Sequence, residues 1–309
     1  VSTGARVRSM VEGDLDEADR VTRLAFGTYR GLPDPASTFG DAEMVRTRFR
    51  AAPDHAWVAE DGGRVVGCVF AARWGSFGYF GPLAVHPDWW DRGIGSRLLE
   101  PVLDAFEGWE LRQAGLFTFP SSPKHLGLYQ KHGFWPRFLT CVLAKPVAST
   151  TARYERLSDA PLLVNEIRAL TGTVFPGLDL EIELQSVLKQ GLGDAIVLET
   201  NGELDGMAVC HCGAGSEAGS GVCYVKFGAV RPGPGARARF ELLLDACEAF
   251  AAESGAERLL AGVSTGRLDA YRMLVERGFR ADLVGVSMLS RPDEPAFDGP
   301  GDYVLDDLR

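Results

Sequence analysis

Two stretches of this 309-residue chain hold side chains whose types and spacing could do chemistry. The first reads Leu83-Ala84-Val85-His86-Pro87-Asp88-Trp89-Trp90-Asp91-Arg92-Gly93-Ile94-Gly95-Ser96-Arg97. A strand-like run ends at His86-Pro87, a short loop follows, and Gly93-Ile94-Gly95 opens a helical pattern. Glycines at that point let the backbone come close to a ligand. The free N–H groups of a helix start bind anions, aided by the helix dipole, and a pyrophosphate is the anion this arrangement suits. Arg92 and Arg97 add positive charge nearby. The phrase is not a dinucleotide fingerprint, because the third glycine and a ribose-binding acid on a second strand are missing. It is not a P-loop either, because the Gly-Lys-Thr ending is absent. The second stretch runs from His125 through Tyr129 to Gly133-Phe134. His125 and Tyr129, four residues apart, share a helix face, and an imidazole titrating near neutrality can exchange protons there. A third cluster, Cys210-His211-Cys212, lies in a strand pattern, where the two cysteines share a face and His211 points away. With no cysteine pair at the two-residue zinc spacing, these read as core cysteines and no metal site is expected.

The whole first phrase resembles the cofactor motif of the GNAT superfamily of N-acetyltransferases. In that motif a strand ending in Val-x-Pro feeds a loop of the form (Gln/Arg)-x-x-Gly-x-(Gly/Ala), which opens a long helix. Here the loop is Trp90-Asp91-Arg92-Gly93-Ile94-Gly95, with Trp90 where the family has Gln or Arg. The departure is expected to cost little, because main-chain amides do most of the phosphate binding in the family. The resemblance spans roughly residues 5–145. It implies that Leu83-Ala84-Val85 pairs its backbone with the pantetheine arm of acetyl-CoA, and that Asp91, Arg92, Gly93, Ile94, Gly95 and Ser96 cradle the pyrophosphate. It implies a bulged strand that splays from Leu116–Phe119, with the thioester in the gap. The phrase Leu128-Tyr129-Gln130-Lys131-His132-Gly133-Phe134 matches a family pattern whose tyrosine donates to the departing thiolate, which assigns that role to Tyr129. Many members use a glutamate base on the splayed strands; none is present here, so His125 or a water relay is left to take the amine's proton. The implied reaction is direct attack of a primary amine, on a small molecule or peptide, on acetyl-CoA in a ternary complex. A non-catalytic acyl-CoA-binding sensor or interaction module on the same fold is the alternative.

The elements that must position these residues follow from periodicity. Strands are expected at Ala5–Met10, Trp57–Ala59, Val65–Ala72, Tyr79–Val85, Leu116–Phe119 and Phe138–Ala144, the last closing the half. Helices are expected from Asp14 to Phe26, Asp41 to Ala51, Gly93 to Glu107 and His125 to Lys131. A polar linker follows at Lys145–Thr151, and the same β-α-α-β-β-β-α-β-α-β order then runs again, with a turn at Asn201-Gly202. The expected class is α/β, mixed α+β: two tandem GNAT-like units, each a mostly antiparallel mixed sheet flanked by helices. The first unit is placed at 1–147 with the intact acetyl-CoA site, the second at 152–292, and a tail at 293–309 whose Tyr303-Val304-Leu305 docks on the body. The second unit is read as degenerate: Pro234 removes an amide donor from the matching loop, and Leu274 stands at the position of Tyr129.

Composition sets the outer limits. The chain is 46% hydrophobic and 24% charged, with a net charge of −10. Residues 1–150 balance 17 basic against 17 acidic side chains, leaving 15 against 25 for the remainder. An acidic second half argues against nucleic acid and is compatible with an amine substrate. No apolar run reaches the ~18 residues of a membrane span, and Val1–Arg8 lacks a signal-like apolar core. Six scattered cysteines read as reduced core residues, and a cytoplasmic monomer or homodimer is expected.

Overall fold

The computed structural model describes residues 4–200 and 202–309. In chain order the first half holds strand β1 (Arg6–Ser9), helices α1 (Leu15–Tyr29) and α2 (Met44–Ala51), strands β2 (Ala56–Asp61), β3 (Arg64–Trp74) and β4 (Phe77–Val85), helix α3 (Ile94–Gly108), strand β5 (Gln113–Thr118), helix α4 (Pro123–Lys131) and strand β6 (Trp135–Pro146). The second half holds β7 (Glu155–Arg156), α5 (Val164–Val174), α6 (Glu181–Lys189), β8 (Gly193–Thr200), β9 (Glu203–Gly213), β10 (Gly219–Val230), α7 (Ala236–Glu253), β11 (Arg258–Ser264), α8 (Leu268–Glu276), β12 (Arg280–Leu289) and β13 (Val304–Leu305). The repeated element order expected from periodicity is thus present. Asn201, in the expected turn between β8 and β9, lies outside the described residues.

Helix α3 shows why these segments fold as they do. Ile94, Leu98, Leu99, Val102 and Phe106 recur at helical spacing and are buried, facing β2 to β5. Each such side chain stabilises the fold by ~1.5–3 kcal/mol. Helix α1 does the same on the opposite face with Leu15, Ala18, Val21 and Ala25. Asp14, expected to cap α1, instead turns its carboxylate to Arg8 and to the Val11 amide.

The strands form one sheet in the order β1-β2-β3-β4-β5-β12-β6-β11-β10-β9-β8-β7. The order is symmetric about the β12–β6 seam, so the two halves are related element by element. Neither half closes with its own last strand. β6 pairs antiparallel with β11 of the second half, and β12 pairs with β5 of the first, Val286 opposite Thr118 and Leu289 opposite Gly115. The expected closing strand of the first half therefore closes the other half. Fusing the halves this way removes two exposed sheet edges. Trp74, Phe77 and Tyr79 of the first half share one buried cluster with Leu157, Ile167 and Leu184 of the second.

β4 and β5 run parallel and pair only at Phe77–Tyr79 with Gln113–Gly115; beyond that they diverge. On its other edge β4 is bulged: the register steps from Val69–Leu83 to Ala71–Phe80, so Phe70 faces both Gly81 and Pro82. The splay and the bulge open the cleft described next. Among the described residues, no helix is long and apolar enough to cross a membrane.

Candidate active site

The cleft occupies about 660 Å³ and runs from the start of α3 along β4 to α4 and α1. Its cradle is built by two left-handed residues, Asp91 (φ 62°) and Gly93 (φ 74°), which turn the loop into the helix. The first intrahelical bond of α3 is Arg97 N–H to the Gly93 carbonyl, so the amides of Ile94, Gly95 and Ser96 point out of the helix start without an intrahelical acceptor. A Cβ on Gly93 would meet nothing within 4 Å, so the space over that amide row is open. Gly95 is closer to its surroundings, with a built Cβ 3.3 Å from Leu128 of α4. Lys124 pairs with the Asp91 carboxylate at 2.7 Å and lies over the Trp90 ring, tying α4 to the loop. Open amides, a helix N-terminus and nearby lysine fit a pyrophosphate. Trp90, at the position where Gln or Arg was expected, donates its indole N–H to the Val85 carbonyl at 2.6 Å and anchors the loop to the strand end.

Strand alternation decides which β4 groups face the cleft. The His86 amide donates to Val66 on β3, so Ala84 also directs its backbone groups to β3, while Leu83 and Val85 direct theirs to the open side. Ala84 is 1% exposed and packs in the core under α1, so its inclusion among the cofactor residues is corrected. Arg92 is also outside the cleft wall; its guanidinium lies over Trp89. Leu83, Val85, Asp91, Gly93, Ile94, Gly95, Ser96, His125 and Tyr129 all line the cleft. Ser96 Oγ is 2.6 Å from His132 Nε2.

Tyr129 projects from α4 into the cleft floor. Burial pushes its hydroxyl up to about 12, with a hydrogen bond from Thr118 acting the other way. It is therefore a protonated donor across the neutral range. His125, one turn earlier, stacks near Tyr29 (5.0 Å) and Phe119 (6.4 Å). Burial first, then Lys124, lowers its pKa, so its imidazole is neutral at pH 7 and able to take a proton. Among the described residues of the lining, Asp91 is the one side-chain carboxylate, and Lys124 holds it.

Beneath the bulge lies a buried charged cluster that sequence reading missed. Arg48 of α2 makes a two-pronged pair with Glu217 (3.0 and 2.8 Å) and donates to the Gly81 carbonyl (2.5 Å) and to the main-chain oxygen of Arg309 (2.6 Å). Lys226 of β10 pairs with Glu217 (2.7 Å) and Glu183 (3.2 Å). Glu183 accepts from Trp74 Nε1 and Tyr79 Oη. Arg48 and Lys226 hold the Glu217 carboxylate well below the usual range against the burial that opposes it. His211 sits beside them with both ring nitrogens unpartnered, and burial, then Lys226, lowers its pKa to about 4. As expected from alternation, His211 points away from the face of Cys210, which is buried with Cys223 and Cys247 in the core under α7.

The second half repeats the splay but fills it. β10 and β11 pair only at Val222–Val225 with Arg258–Ala261, and β13 then pairs with β10, Leu305 opposite Gly228 and Val304 opposite Ala229. The segment expected to dock thus adds a strand along the part of β10 that matches the free edge of β4. Buried Arg267 secures it through the carbonyls of Phe297 and Val304 and an ion pair with Asp306. At the matching loop the Arg239 guanidinium folds back onto the Arg231 carbonyl, over left-handed Gly235. The chain then continues into the first half's cleft, where Leu308 and Arg309 form part of the wall.

With this geometry in view, the relationships are plain. Residues 21–134, a little over a third of the chain, match the model of the acetyltransferase (GNAT) family, whose chemistry is acyl transfer from acyl-CoA. The whole fold is that of a tandem GNAT protein. A Pyrococcus horikoshii protein provisionally described as an acetyltransferase superposes with TM-score 0.69 at 15% identity, covering 99% of this chain and 95% of the other. A GCN5-related N-acetyltransferase from Sphaerobacter thermophilus gives 0.60 at 16%, covering 92% and 95%. A tandem GNAT protein from the clavulanic acid biosynthesis pathway gives 0.57 at 13%, covering 94% and 99%. No curated protein matches the chain in sequence.

Proposed function

We propose that the chain is an acetyl-CoA-dependent N-acetyltransferase with one working site, in the first half, acting on a primary amine of a small molecule. The observation that carries this reading is one continuous cleft. It joins an open helix-start cradle, a free strand edge and a buried phenol. The amides of Ile94, Gly95 and Ser96 bind the pyrophosphate, and the Leu83 backbone with the Val85 N–H pairs with the pantetheine arm. The amine attacks the thioester carbonyl, forming the C–N bond as the C–S bond breaks. His125, directly or through water, accepts the proton that the amine loses. Tyr129 donates a hydrogen bond to the departing sulfur. With its pKa near 12 against ~8.5 for a thiol, complete proton transfer is uphill by roughly 5 kcal/mol, so Tyr129 stabilises the thiolate and solvent protonates it. β13 in the second cleft and Arg239 at its loop support a stoichiometry of one.

Calorimetric titration with acetyl-CoA, followed by thiol-release assays over an amine panel, tests the proposal. One site per chain and amine-dependent CoA release are expected. Two equivalent sites would refute the closed second cleft, and binding without release to any amine would leave an acyl-CoA-binding module.

A further inference from the structure

The acceptor side of the cleft has a chemical character that the net charge of the chain conceals. Phe26 and Tyr29 on the last turns of α1, Phe39 on the following loop and Phe119 after β5 form an aromatic wall. Their ring separations are 5.5 Å (Phe26–Phe39), 6.3 Å (Phe26–Phe119) and 4.8 Å (Tyr29–Phe119). The wall is held by close packing: a Cβ on Gly27 would lie 2.3 Å from the Pro35 carbonyl and from Thr38 Oγ1, so the 31–40 loop is pressed onto α1. Leu308 adds an apolar side from the end of the second half.

The charges around the cleft point the same way. Although the chain carries −10, the described side chains of the lining include Arg30, Arg48, Lys124, Lys131 and Arg309 against one carboxylate, that of Asp91. Asp91 is at the cradle and held by Lys124. On the acceptor side Arg48 is neutralised by Glu217 and Arg309 by Asp307. A ligand carrying two or more ammonium groups would find no unpaired side-chain carboxylate among the described lining residues for the second one and would have to strip its water with little compensation. A single amine on an aromatic or apolar body gains from the wall, and its own desolvation lowers its pKa toward the neutral, attacking form. That effect also accounts for a site without a glutamate base, since neutral His125 has less to do.

Resting on the acetyltransferase reading above, we propose that the acceptor is a monoamine borne on an aromatic or bulky apolar body, and that polyamines and aminoglycoside-type polycations are rejected. Phe119 and Tyr29 are the specificity-determining residues. The test uses the full chain with saturating acetyl-CoA and measures kcat/KM for CoA release with 2-phenylethylamine, butylamine, spermidine and kanamycin. Expected is a preference of roughly tenfold for phenylethylamine over butylamine, and of a hundredfold or more over either polycation. Phe119→Ala and Tyr29→Ala, both at partly exposed positions and so compatible with folding, should each raise KM for phenylethylamine and erase much of its advantage over butylamine. Acetyl-CoA affinity by calorimetry should stay as in the parent. Polycations turned over as well as phenylethylamine, or a phenylethylamine-to-butylamine ratio unmoved by both variants, would overturn this inference and leave the acetyltransferase reading standing. Failure to bind acetyl-CoA would overturn both.

Discussion

Replacing Gly93 by Asp places one negative charge at the cradle with little other disturbance. Gly93 has φ 74°, a conformation that costs a non-glycine residue about 1 kcal/mol, and Asp is among the residues that tolerate it. A Cβ there meets nothing within 4 Å, so no clash adds to the strain. The melting temperature should fall by only about 2 °C for a chain of this size. The electrostatic effect is larger. A carboxylate about 5 Å from one pyrophosphate charge, at an effective dielectric constant of about 20, is repelled by roughly 3 kcal/mol, or about two orders of magnitude in affinity. Calorimetric titration with acetyl-CoA at low salt measures it directly. Gly93→Ala carries the same backbone strain without the charge, so its affinity loss should be much smaller while its melting shift is similar. Part of the Asp variant's loss should be recovered at high ionic strength, where the Debye length shrinks. An Asp variant that binds acetyl-CoA within threefold of the parent would refute the cradle assignment.

Tyr129→Phe should lower kcat by about ten- to a hundredfold while acetyl-CoA affinity stays within threefold; an unchanged turnover removes the donor role. Glu217→Ala leaves Arg48 and Lys226 buried with one carboxylate between them, Glu183, and should cost about 3–5 kcal/mol in urea unfolding. A loss below 1 kcal/mol would show that the cluster is hydrated. His211, with a folded pKa of about 4 against ~6.5 unfolded, binds its proton more readily in the unfolded chain. Its contribution is complete above about pH 6.5 and is lost as pH falls toward 4, up to roughly 3 kcal/mol, so His211→Leu should flatten the stability profile in that window. Leu305→Ala, at a fully buried position, should cost about 2–5 kcal/mol and raise the acceptor KM through Leu308 and Arg309, with acetyl-CoA affinity unaffected. A shift in acetyl-CoA stoichiometry instead would mean that β13 is all that closes the second cleft.

The sequence by itself determined what is local. Helical spacing of Ile94, Leu98, Leu99, Val102 and Phe106 located α3 and its buried face, and Gly93-Ile94-Gly95 located the open amides, because both depend on residues within a few positions of one another. The same locality exposed the repeat. It could also have excluded Ala84, since alternate residues of a strand turn their backbone groups to opposite neighbours. Tertiary structure alone decided the rest. Arg48 meets Glu217 across 169 residues and Arg309 across 261. Phe26, Phe39 and Phe119 form one wall only because α1 and the end of β5 converge on the cleft. The exchange of β6 and β12 left no trace in periodicity, because a strand alternates the same way whichever sheet edge it pairs with. For β13, two residues of pairing are too short to register as a pattern; what places them is the unfilled splay between β10 and β11, a feature of the fold and not of the segment.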